Sequence, residues 1–433
     1  MSDYSKITTY LYEQLPMFHR VGASAYKKDL DNIISFCNIL DNPQLSFKSI
    51  HIAGTNGKGS TAHFLSSILQ NANYKVGLLT SPHLIDFRER IRINGKMICK
   101  DVVIAFVKNH LRAVQQIQPS FFEWTTALAF FHFANEKVDI AIIETGLGGR
   151  LDSTNIIMPI LSIITNISYD HQQFLGHTYS EIAIEKAGII KSKTPIVIGK
   201  RHKETDNIFI QKSESMLSPL YFAQDNYYAF KCNTSNQELK VLVKNNDRTL
   251  TYTLGLVGNY QLENTQTVLQ SVAVLKSIYA IDNQHIRKGL QFVKKCTGLR
   301  GRWEIIQQKP LTICDVAHNE DGLQIVLKQL LQLSHNQLHI VFGMVNDKDI
   351  SKIISLLPKN AHYYLCAAKL LRSLSVHALY KIFLANNFKS NISCFETVIN
   401  AYKMALKTAV DNDIIYIGGS TFVVGELLSS LQK

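Results

Sequence analysis

The chain has 433 residues, of which 46% are hydrophobic and 18% charged, and its formal net charge is +12. This composition excludes disordered and collagen-like chains, and at roughly 150 residues per domain the length predicts two or three domains. No apolar run reaches the ~20 residues of a membrane-spanning helix, and the first residues lack a signal-peptide pattern. The basic residues are dispersed, and the seven cysteines form no CxxC pair. We therefore expect a cytoplasmic protein that binds a small anionic substrate and has no nucleic-acid or membrane partner.

The first half of the chain alternates between apolar runs and segments with helical spacing. We predict buried strands at 49–54, 76–80, 138–144, 160–167 and 195–199. Helices are predicted directly after residue 60 and at 101–117, 122–135 and 181–190. Strands that alternate with helices are typical of a parallel sheet covered on both faces, so this half predicts a doubly wound α/β domain.

The pattern changes at residues 200–260, which are polar and irregular and whose alternating segments predict a small β excursion. Two predicted helices, at about 261–279 and 283–294, close the first domain. Alternation then resumes, with strands predicted at 311–315, 338–344, 362–368 and 413–419. The predicted fold class is α/β with two domains: a P-loop ATPase-like doubly wound sheet with the β excursion (1–297) and a smaller Rossmann-like α/β domain (298–433).

A glycine-rich segment, GTNGKGS at 54–60, connects the first predicted strand to the following helix. Glycines let backbone N–H groups turn toward phosphate oxygens, and a helix N-terminus adds a positive dipole. Lys58 can reach the terminal phosphates of a nucleotide, and the Ser60 hydroxyl can ligate Mg²⁺. The segment departs from the strict GxxxxGK[ST] pattern, because Gly59 follows the lysine. We predict nucleotide contacts from Asn56, Gly57, Lys58, Gly59 and Ser60.

Polar side chains end two further predicted strands. Glu144 stands at the end of VDIAIIE, and ligands bind at the carboxyl ends of parallel strands. Mg²⁺ favours one or two carboxylates together with phosphate oxygens, so Glu144 is a candidate ligand. The pair Asp170-His171 follows the strand at 160–167 in the same way. It is a weaker signal, because most histidines are ordinary polar surface residues.

Several segments, in this order, resemble the blocks of one enzyme family. The first half contains HIAGTNGKGSTAHF, TSPHLIDFRERIRING, ETGLGGRLDSTN, ITNISYDHQQFLG and EIAIEKAGIIK. The second half contains CDVAHNEDG, NDKD and GGSTFVVGE. Together they resemble the folylpolyglutamate synthase/dihydrofolate synthase family of the Mur ligase superfamily, from about residue 10 to residue 430. Separate blocks in a matching order are far more specific than any single motif.

The resemblance implies how two Mg²⁺ ions are held. It places Ser81 near a metal and assigns the second ion to His171. It also implies that Lys186 is carbamylated, so that its new carboxylate helps to hold that second ion; taken alone, a helical lysine favours a solvated surface charge. The implied metal ligands are Ser60, Ser81, Glu144, His171 and Lys186. The implied catalytic residues are Lys58, His171 and Lys186.

The resemblance further implies residues that contact ATP. In this sequence they are Asn264, Arg302, Asp315 and His318. Arg302 carries a guanidinium fork that suits the charge of a transferring phosphoryl group. Tyr260 replaces the histidine that usually precedes the asparagine segment. The segment Asp347-Lys348-Asp349 also matches the family, and we interpret it as interdomain or structural.

On the acceptor side, the resemblance places a loop and helix near a pterin-bearing substrate. The implied substrate residues are His83, Phe122, Glu123, Arg150 and Asp152. Aromatic residues in a helix usually belong to the core, so spacing alone would assign Phe122 there.

The resemblance implies an ATP-dependent acid–amino-acid ligase that acts through an acyl phosphate. Its substrates would be L-glutamate and either dihydropteroate, folates that already carry glutamate, or both, so a monofunctional folylpolyglutamate synthase stays open. A peptidoglycan-type Mur ligase is disfavoured, because Lys58 lies too near the start for a UDP-binding domain. A nucleotide-regulated binding protein would need no second metal, and a nucleic-acid-binding protein has only the net charge in its favour. We expect a monomer.

Overall fold

The computed structural model describes residues 3–16, 29–235, 238–245, 248–346, 350–388 and 391–432. Within them, an eight-stranded sheet, a three-stranded sheet and a six-stranded sheet follow one another along the chain. In these ranges no helix combines the length and the apolar character needed to cross a membrane.

The eight-stranded sheet has the order β4-β3-β2-β5-β1-β6-β7-β8. Its strands are β1 (Ser49–Ala53), β2 (Val76–Leu79), β3 (Ile91–Ile93), β4 (Lys96–Met97), β5 (Ile140–Glu144), β6 (Leu161–Ile164), β7 (Ile196–Ile198) and β8 (Leu220–Phe222). The six strands from β2 to β8 in this order pair in parallel, and β3 and β4 add an antiparallel edge. The carboxyl ends of β1, β2, β5 and β6 therefore meet at one edge of the sheet.

Helices cover both faces of this sheet. They are α1 (Asp3–Gln14), α2 (Asp31–Ile39), α3 (Lys58–Asn71), α4 (Lys100–Ile117), α5 (Phe121–Asn135), α6 (Gln172–Leu175), α7 (Tyr179–Ala187), α8 (Asp206–Ser215) and α9 (Ala223–Asn226). Successive side chains of a strand point to opposite faces. Ile142 of β5 thus joins the buried cluster that contains Phe64 of α3, whereas Ile143 joins the cluster that contains Trp124 of α5. This double burial explains why the strands appear in the sequence as continuous apolar runs.

The β excursion is smaller than the sequence predicts. Only β9 (Tyr228–Thr234), β10 (Leu239–Asn245) and β11 (Arg248–Leu254) form it, as an antiparallel sheet in the order β11-β10-β9. The earlier part of 200–260 contains α8 and β8, and β8 extends the main sheet. A three-residue edge strand and a polar helix give little periodic signal, which is why the sequence pattern missed them. Three helices follow: α10 (Gln261–Leu275), α11 (Asn283–Gln291) and α12 (Val293–Thr297).

The six-stranded sheet has the order β12-β13-β17-β14-β15-β16 and is parallel except for β12. Its strands are β12 (Glu304–Gln308), β13 (Leu311–Cys314), β14 (Leu338–Phe342), β15 (His362–Leu365), β16 (Ile392–Cys394) and β17 (Ile414–Gly418). Its helices are α13 (Glu320–Leu331), α14 (Ile350–Ser355), α15 (Val376–Ala385), α16 (Val398–Thr408) and α17 (Thr421–Ser430). All four predicted strands are present, and the pattern missed only the edge strands β12 and β16.

The predicted fold class is confirmed: a doubly wound sheet with a small β excursion precedes a smaller α/β sheet. For the boundary, we propose that the domains meet at 297/298. In support, α12 ends at Thr297 and the first strand of the second sheet begins at Glu304.

Candidate active site

A cleft of about 930 Å³ is lined by residues from both the eight-stranded sheet domain and the six-stranded sheet domain. Most of the predicted site residues line it: Asn56, Gly57, Lys58, Gly59, Ser60, Ser81, Phe122, Glu123, Glu144, Asp152, His171, Lys186, Asn264, Arg302, Asp315 and His318. His83 and Arg150 do not. The segment 347–349 lies outside the described residues. The folded chain thus gathers distant side chains, such as Lys58 and His318, which are 260 positions apart, around one cleft.

The phosphate loop is held in place by side chains of the segment that directly follows β6. The Thr165 hydroxyl donates to the Asn56 carbonyl over 2.6 Å, and the Asn56 N–H donates to Asn166 Oδ1 over 2.8 Å. Gly57, with a φ of +83°, begins α3, and a Cβ there would collide with Asn264 Oδ1. Only glycine suits both the left-handed backbone and this close approach. The loop therefore presents the N-terminus of α3 to the cleft in a fixed conformation.

Two lysine ammonium groups converge on one carbonyl of this loop. Lys58 Nζ donates to the Gly54 carbonyl over 2.9 Å and to the Thr55 carbonyl over 3.1 Å. Lys186 Nζ donates to the same Gly54 carbonyl, also over 2.9 Å. Burial, together with the Lys58 charge, lowers the pKa of Lys186 to about 7. A substantial share of Lys186 is therefore a neutral, nucleophilic amine near neutral pH.

Glu144 ends β5 and is only 3% exposed. Its Oε2 accepts the Ser81 N–H over 3.2 Å. Burial raises the pKa of Glu144, and the nearby charges of Lys58 and Arg302 oppose this shift. Both Glu144 and Arg302 face the first turn of α3, since a Cβ on Gly59 would lie 3.8 Å from the carboxylate and 3.2 Å from the guanidinium. A carboxylate and two cations thus surround the place where phosphates would bind.

The chemistry of these donors fits a magnesium ion. Mg²⁺ takes oxygen ligands, commonly one or two carboxylates completed by phosphate oxygens and water. Glu144 supplies the carboxylate, and Ser60 and Ser81 supply hydroxyl groups on the same cleft. The Ser60 hydroxyl accepts from Gln261 Nε2 over 3.2 Å, which fixes its position. In the described part of the chain, no group of three or more His, Cys, Asp or Glu side chains could hold a metal ion.

The second domain reaches the phosphate loop through a network of polar side chains. Asn319 and Asn56 exchange hydrogen bonds through their amides, at 2.9 and 3.2 Å. Asp170 Oδ2 lies 3.3 Å from His318 Nε2 and accepts from Asn319 Nδ2 over 3.2 Å. His171, the next residue, begins α6 with a φ of +50°. The network ties the segment after β6 to the segment after β13.

Tyr260 forms another contact between the domains. Its hydroxyl donates to Asp315 Oδ2 over 2.6 Å. Asp315 is 2% exposed and also accepts the N–H groups of Trp303 and Ala317, at 2.6 and 2.8 Å. The carboxylate predicted to contact ATP thus already has three hydrogen-bond donors, one of them from the other domain.

We expect Tyr260→Phe to lower the free energy of unfolding by about 1.5–3 kcal/mol, because a buried carboxylate loses a short hydrogen bond. ADP affinity should also fall several-fold, because the domains close less firmly over the nucleotide. Chemical denaturation and calorimetric titration with ADP measure the two effects. Tyr416→Phe is the matched control, since the buried Tyr416 hydroxyl has no hydrogen-bond partner among the residues that the structure describes. Equal stability losses in the two variants would contradict the assigned contact.

Several predicted substrate residues have structural partners. Glu123 and Ser120 form a capping box at the start of α5, and Asp152 accepts from Leu147 N and from Thr154 N and Oγ1. Arg150 forms an ion pair with Glu185 at 2.7 Å. Their roles toward substrate stay predictions. Phe122 remains well placed at the cleft, where its ring packs on Gly146.

The sequence pattern missed several residues of the site. Three amide side chains contact residues of the phosphate loop: Asn166, Gln261 and Asn319. Nothing in the sequence around them indicates these contacts. Asp170 was noted only beside His171. Arg90 lines the cleft, but it stands in RERIRING, which resembles an exposed charged segment. For Arg90, the one available signal was the start of β3 at the buried residue Ile91.

Comparisons with known proteins agree with this arrangement. The sequence profile of the Mur ligase middle domain matches residues 52–272, and that of the Mur ligase glutamate ligase domain matches residues 301–421. A Bacillus subtilis protein named dihydrofolate synthase/folylpolyglutamate synthase is 34% identical over 405 residues, covering 91% of this chain and 92% of that relative.

Two solved structures share the whole fold. E. coli FolC in complex with DHPP and ADP has a TM-score of 0.86 at 26% identity, covering 100% of this chain and 98% of that one. A Yersinia pestis bifunctional folylpolyglutamate synthase/dihydrofolate synthase with AMPPNP and Mn has a TM-score of 0.85 at 27% identity, covering 100% and 99%. With its phosphate loop, its strand-end carboxylate and its two matched domains, the chain belongs to the dihydrofolate synthase/folylpolyglutamate synthase family of Mur ligases.

Proposed function

We propose that this protein uses ATP to join L-glutamate to dihydropteroate and to folates that already carry glutamate, releasing ADP and phosphate. The observation that carries this proposal is the cleft itself, in which the phosphate loop and Glu144 face Arg302, Asp315 and His318 of the glutamate ligase domain. The bifunctional names of similar proteins support both acceptors.

The first step is transfer of the γ-phosphoryl group to the acceptor carboxylate. The bond from phosphorus to the bridging oxygen of ADP breaks, and a bond from phosphorus to a carboxylate oxygen forms. Lys58 and the N–H groups at the start of α3 hold the phosphates, and Arg302 stabilises the charge that builds up during transfer. These groups are fixed before the reaction, so little reorganisation is needed.

The second step is attack by the amine of L-glutamate on the acyl phosphate carbon. A C–N bond forms, the C–O bond to phosphate breaks, and the amine loses a proton to solvent or to phosphate. The contacts of Asn319 and His318 with the first domain keep the glutamate ligase domain against the cleft. Closing the cleft excludes water, which would otherwise hydrolyse the acyl phosphate.

Magnesium fits the oxygen donors of Ser60, Ser81 and Glu144, and when bound it supplies positive charge beside the phosphates. We propose a second ion held by His171 and by a carbamylated Lys186. In support, the lowered pKa of Lys186 leaves an amine able to add CO₂, which would exchange a buried cation for a carboxylate. The Mn and AMPPNP of the Yersinia pestis structure agree with the use of a divalent metal.

The remaining partners are small molecules. We propose that the protein acts in the cytoplasm as a monomer, without a nucleic-acid or membrane partner. The free state of all seven cysteines fits a reducing compartment.

The test is ADP release with Mg²⁺ and L-glutamate, with dihydropteroate in one sample and tetrahydrofolate in another. We expect turnover with both acceptors. Turnover with tetrahydrofolate alone would make the enzyme a monofunctional folylpolyglutamate synthase. ADP release with neither acceptor, from folded protein that binds ATP, would contradict the proposal. A sample without glutamate measures the background hydrolysis of ATP.

A further inference from the structure

Arg90 is a cleft residue with an unusual environment. It ends the short 3₁₀ helix Phe87–Arg90, lines the cleft and is only 2% exposed. Its Nη2 atom has no hydrogen-bond partner in the described part of the chain. Burying a guanidinium nitrogen without a partner is costly, and native structures keep such groups rarely. A retained group of this kind needs an explanation.

The Arg90 side chain is nevertheless firmly oriented. Its Nε donates to His83 Nδ1 over 2.8 Å, and its guanidinium carbon lies 5.4 Å from the centre of the Phe121 ring. An arginine Nε–H can only donate, so His83 Nδ1 is the acceptor at this bond. His83 therefore fixes one edge of the guanidinium, whereas the Nη2 atom is buried and has no hydrogen-bond partner among the described residues.

The carboxylates around Arg90 are engaged elsewhere. Glu89, its chain neighbour, accepts the backbone N–H groups of residues 84, 85 and 86 at 2.8 to 3.0 Å. Glu144 accepts the Ser81 N–H and also faces Lys58 and Arg302. Burial lowers the pKa of Arg90 to about 10, which leaves it fully charged at neutral pH. Arg90 is thus a desolvated cation whose neighbouring carboxylates, Glu89 and Glu144, also accept hydrogen bonds from other groups.

The position of Arg90 indicates which anion would bind. On one side are aromatic rings, with Phe121 beneath the guanidinium and Phe87 and Trp124 packed behind it. Glu144 lines the same cleft as Arg90 and Phe121. Arg90 therefore lies between the aromatic wall and the phosphate side. An acceptor with a ring system and a carboxylate would place its carboxylate at this junction.

We propose that Arg90 binds the reacting carboxylate of the acceptor and that His83 is a positioning residue that orients Arg90. The inference rests on the proposed function, because it assigns a partner to the acceptor of that reaction. An arginine N–H directed at a carboxylate oxygen gives a short, charge-assisted hydrogen bond. It would hold one oxygen while the other attacks the γ-phosphorus, which places the reacting atoms. His83, predicted as a substrate residue, thereby acts without touching the substrate.

The first test is Arg90→Met, with Arg287→Met as the matched control. Arg287 also lies 5.4 Å from an aromatic ring, that of Tyr252, but it does not line the cleft. We expect Arg90→Met to raise the KM of dihydropteroate and of tetrahydrofolate about 10- to 100-fold, with glutamate KM and ADP affinity changed less than about 3-fold. Its melting temperature should be equal to or above that of the wild type, because an unpaired buried charge is removed. The control should leave all kinetic constants unchanged.

The second test uses binding rather than turnover. Acceptor affinity is measured by titration in the presence of AMPPNP, with the acceptor and with its analogue in which a carboxamide replaces the carboxylate. The wild type should prefer the carboxylate by about 10-fold or more, and Arg90→Met should show no preference. This measurement distinguishes loss of carboxylate recognition from a structural change that weakens binding of both compounds.

The third test concerns His83. His83→Gln keeps an acceptor oxygen for Arg90 Nε and should retain acceptor KM within about 3-fold, whereas His83→Leu should raise it about 10-fold. A purely structural histidine would give equal stability losses in both variants without this split in KM.

The outcomes distinguish failure of the Arg90 inference from failure of the proposed function. An active wild type with unchanged acceptor KM in Arg90→Met overturns the role of Arg90 and leaves the proposed function intact. A rise confined to the KM of ATP or glutamate, or a variant that fails to fold, also overturns it, because Arg90 would then serve another ligand or the core. A wild type that turns over neither acceptor refutes the proposed function, and the Arg90 inference falls with it.

Discussion

Lys58→Met is expected to lower ligase turnover about 1000-fold, the largest effect of a single change in this site. The Lys58 ammonium lies at the start of α3, where two loop carbonyls fix it at 2.9 and 3.1 Å. Removing it takes away a charge that is in place before phosphoryl transfer begins. Initial rates of ADP release under saturating substrates measure the effect.

A loss of turnover in Lys58→Met supports a role for Lys58 only if the variant protein is folded. Circular dichroism and the melting temperature of Lys58→Met should stay close to those of the wild type, since Lys58 lines an open cleft. Lys48→Met is a suitable control, because Lys48 contacts the Tyr279 ring at 5.8 Å, outside the cleft. A folded Lys58→Met protein that retains ATP-saturable turnover near the wild-type rate would refute the role of Lys58.

Glu144→Gln is expected to lower turnover about 100- to 1000-fold while making the metal-free protein more stable. The carboxylate is desolvated, and burial raises its pKa above the ordinary 4.5. The glutamine is nearly the same size and removes the charge, so the cost of burying that charge disappears. ADP release and thermal unfolding in a chelating buffer measure the two opposite changes.

The pH dependence follows from the direction of this shift. The folded state holds the Glu144 proton more tightly than the unfolded chain, so wild-type stability falls as pH rises from about 4.5 through the folded pKa. Relative to the wild type, Glu144→Gln should gain stability across that window. Adding Mg²⁺ and ATP should raise the melting temperature of the wild type more than that of the variant, which keeps the phosphate loop but loses the carboxylate. Equal thermal shifts in both would show that Glu144 is not a metal ligand.

The elements of the site that the sequence predicted are those with a local signal. The phosphate loop stands between an apolar run and a helical segment, and Glu144 ends an apolar run. Each of these patterns arises because a parallel sheet is buried on both faces, so that consecutive residues of its strands are apolar. The edge strands β8, β12 and β16 are only partly buried, so their sequences contain no long apolar run.

The residues that the sequence alone did not predict act across long separations. Tyr260 bonds to Asp315, and Asn56 pairs with Asn319, 263 positions away. The role of such a side chain depends on what the other domain places beside it, and neither composition nor spacing contains that information. Arg90 is the clearest case, because three arginines in RERIRING look alike in the sequence, and among them Arg90 is the one that donates to His83 and has a buried Nη2 without a partner in the described residues.

The sequence by itself thus determined the fold class, the phosphate loop, the strand-end carboxylate and, through the order of its blocks, the family. These features are periodic or contiguous, and sheet burial imposes them locally. The tertiary structure alone decided which charges are buried, which are paired and which are left open to a ligand. Desolvation and hydrogen bonding depend on distances between atoms from distant parts of the chain, and only folding sets those distances.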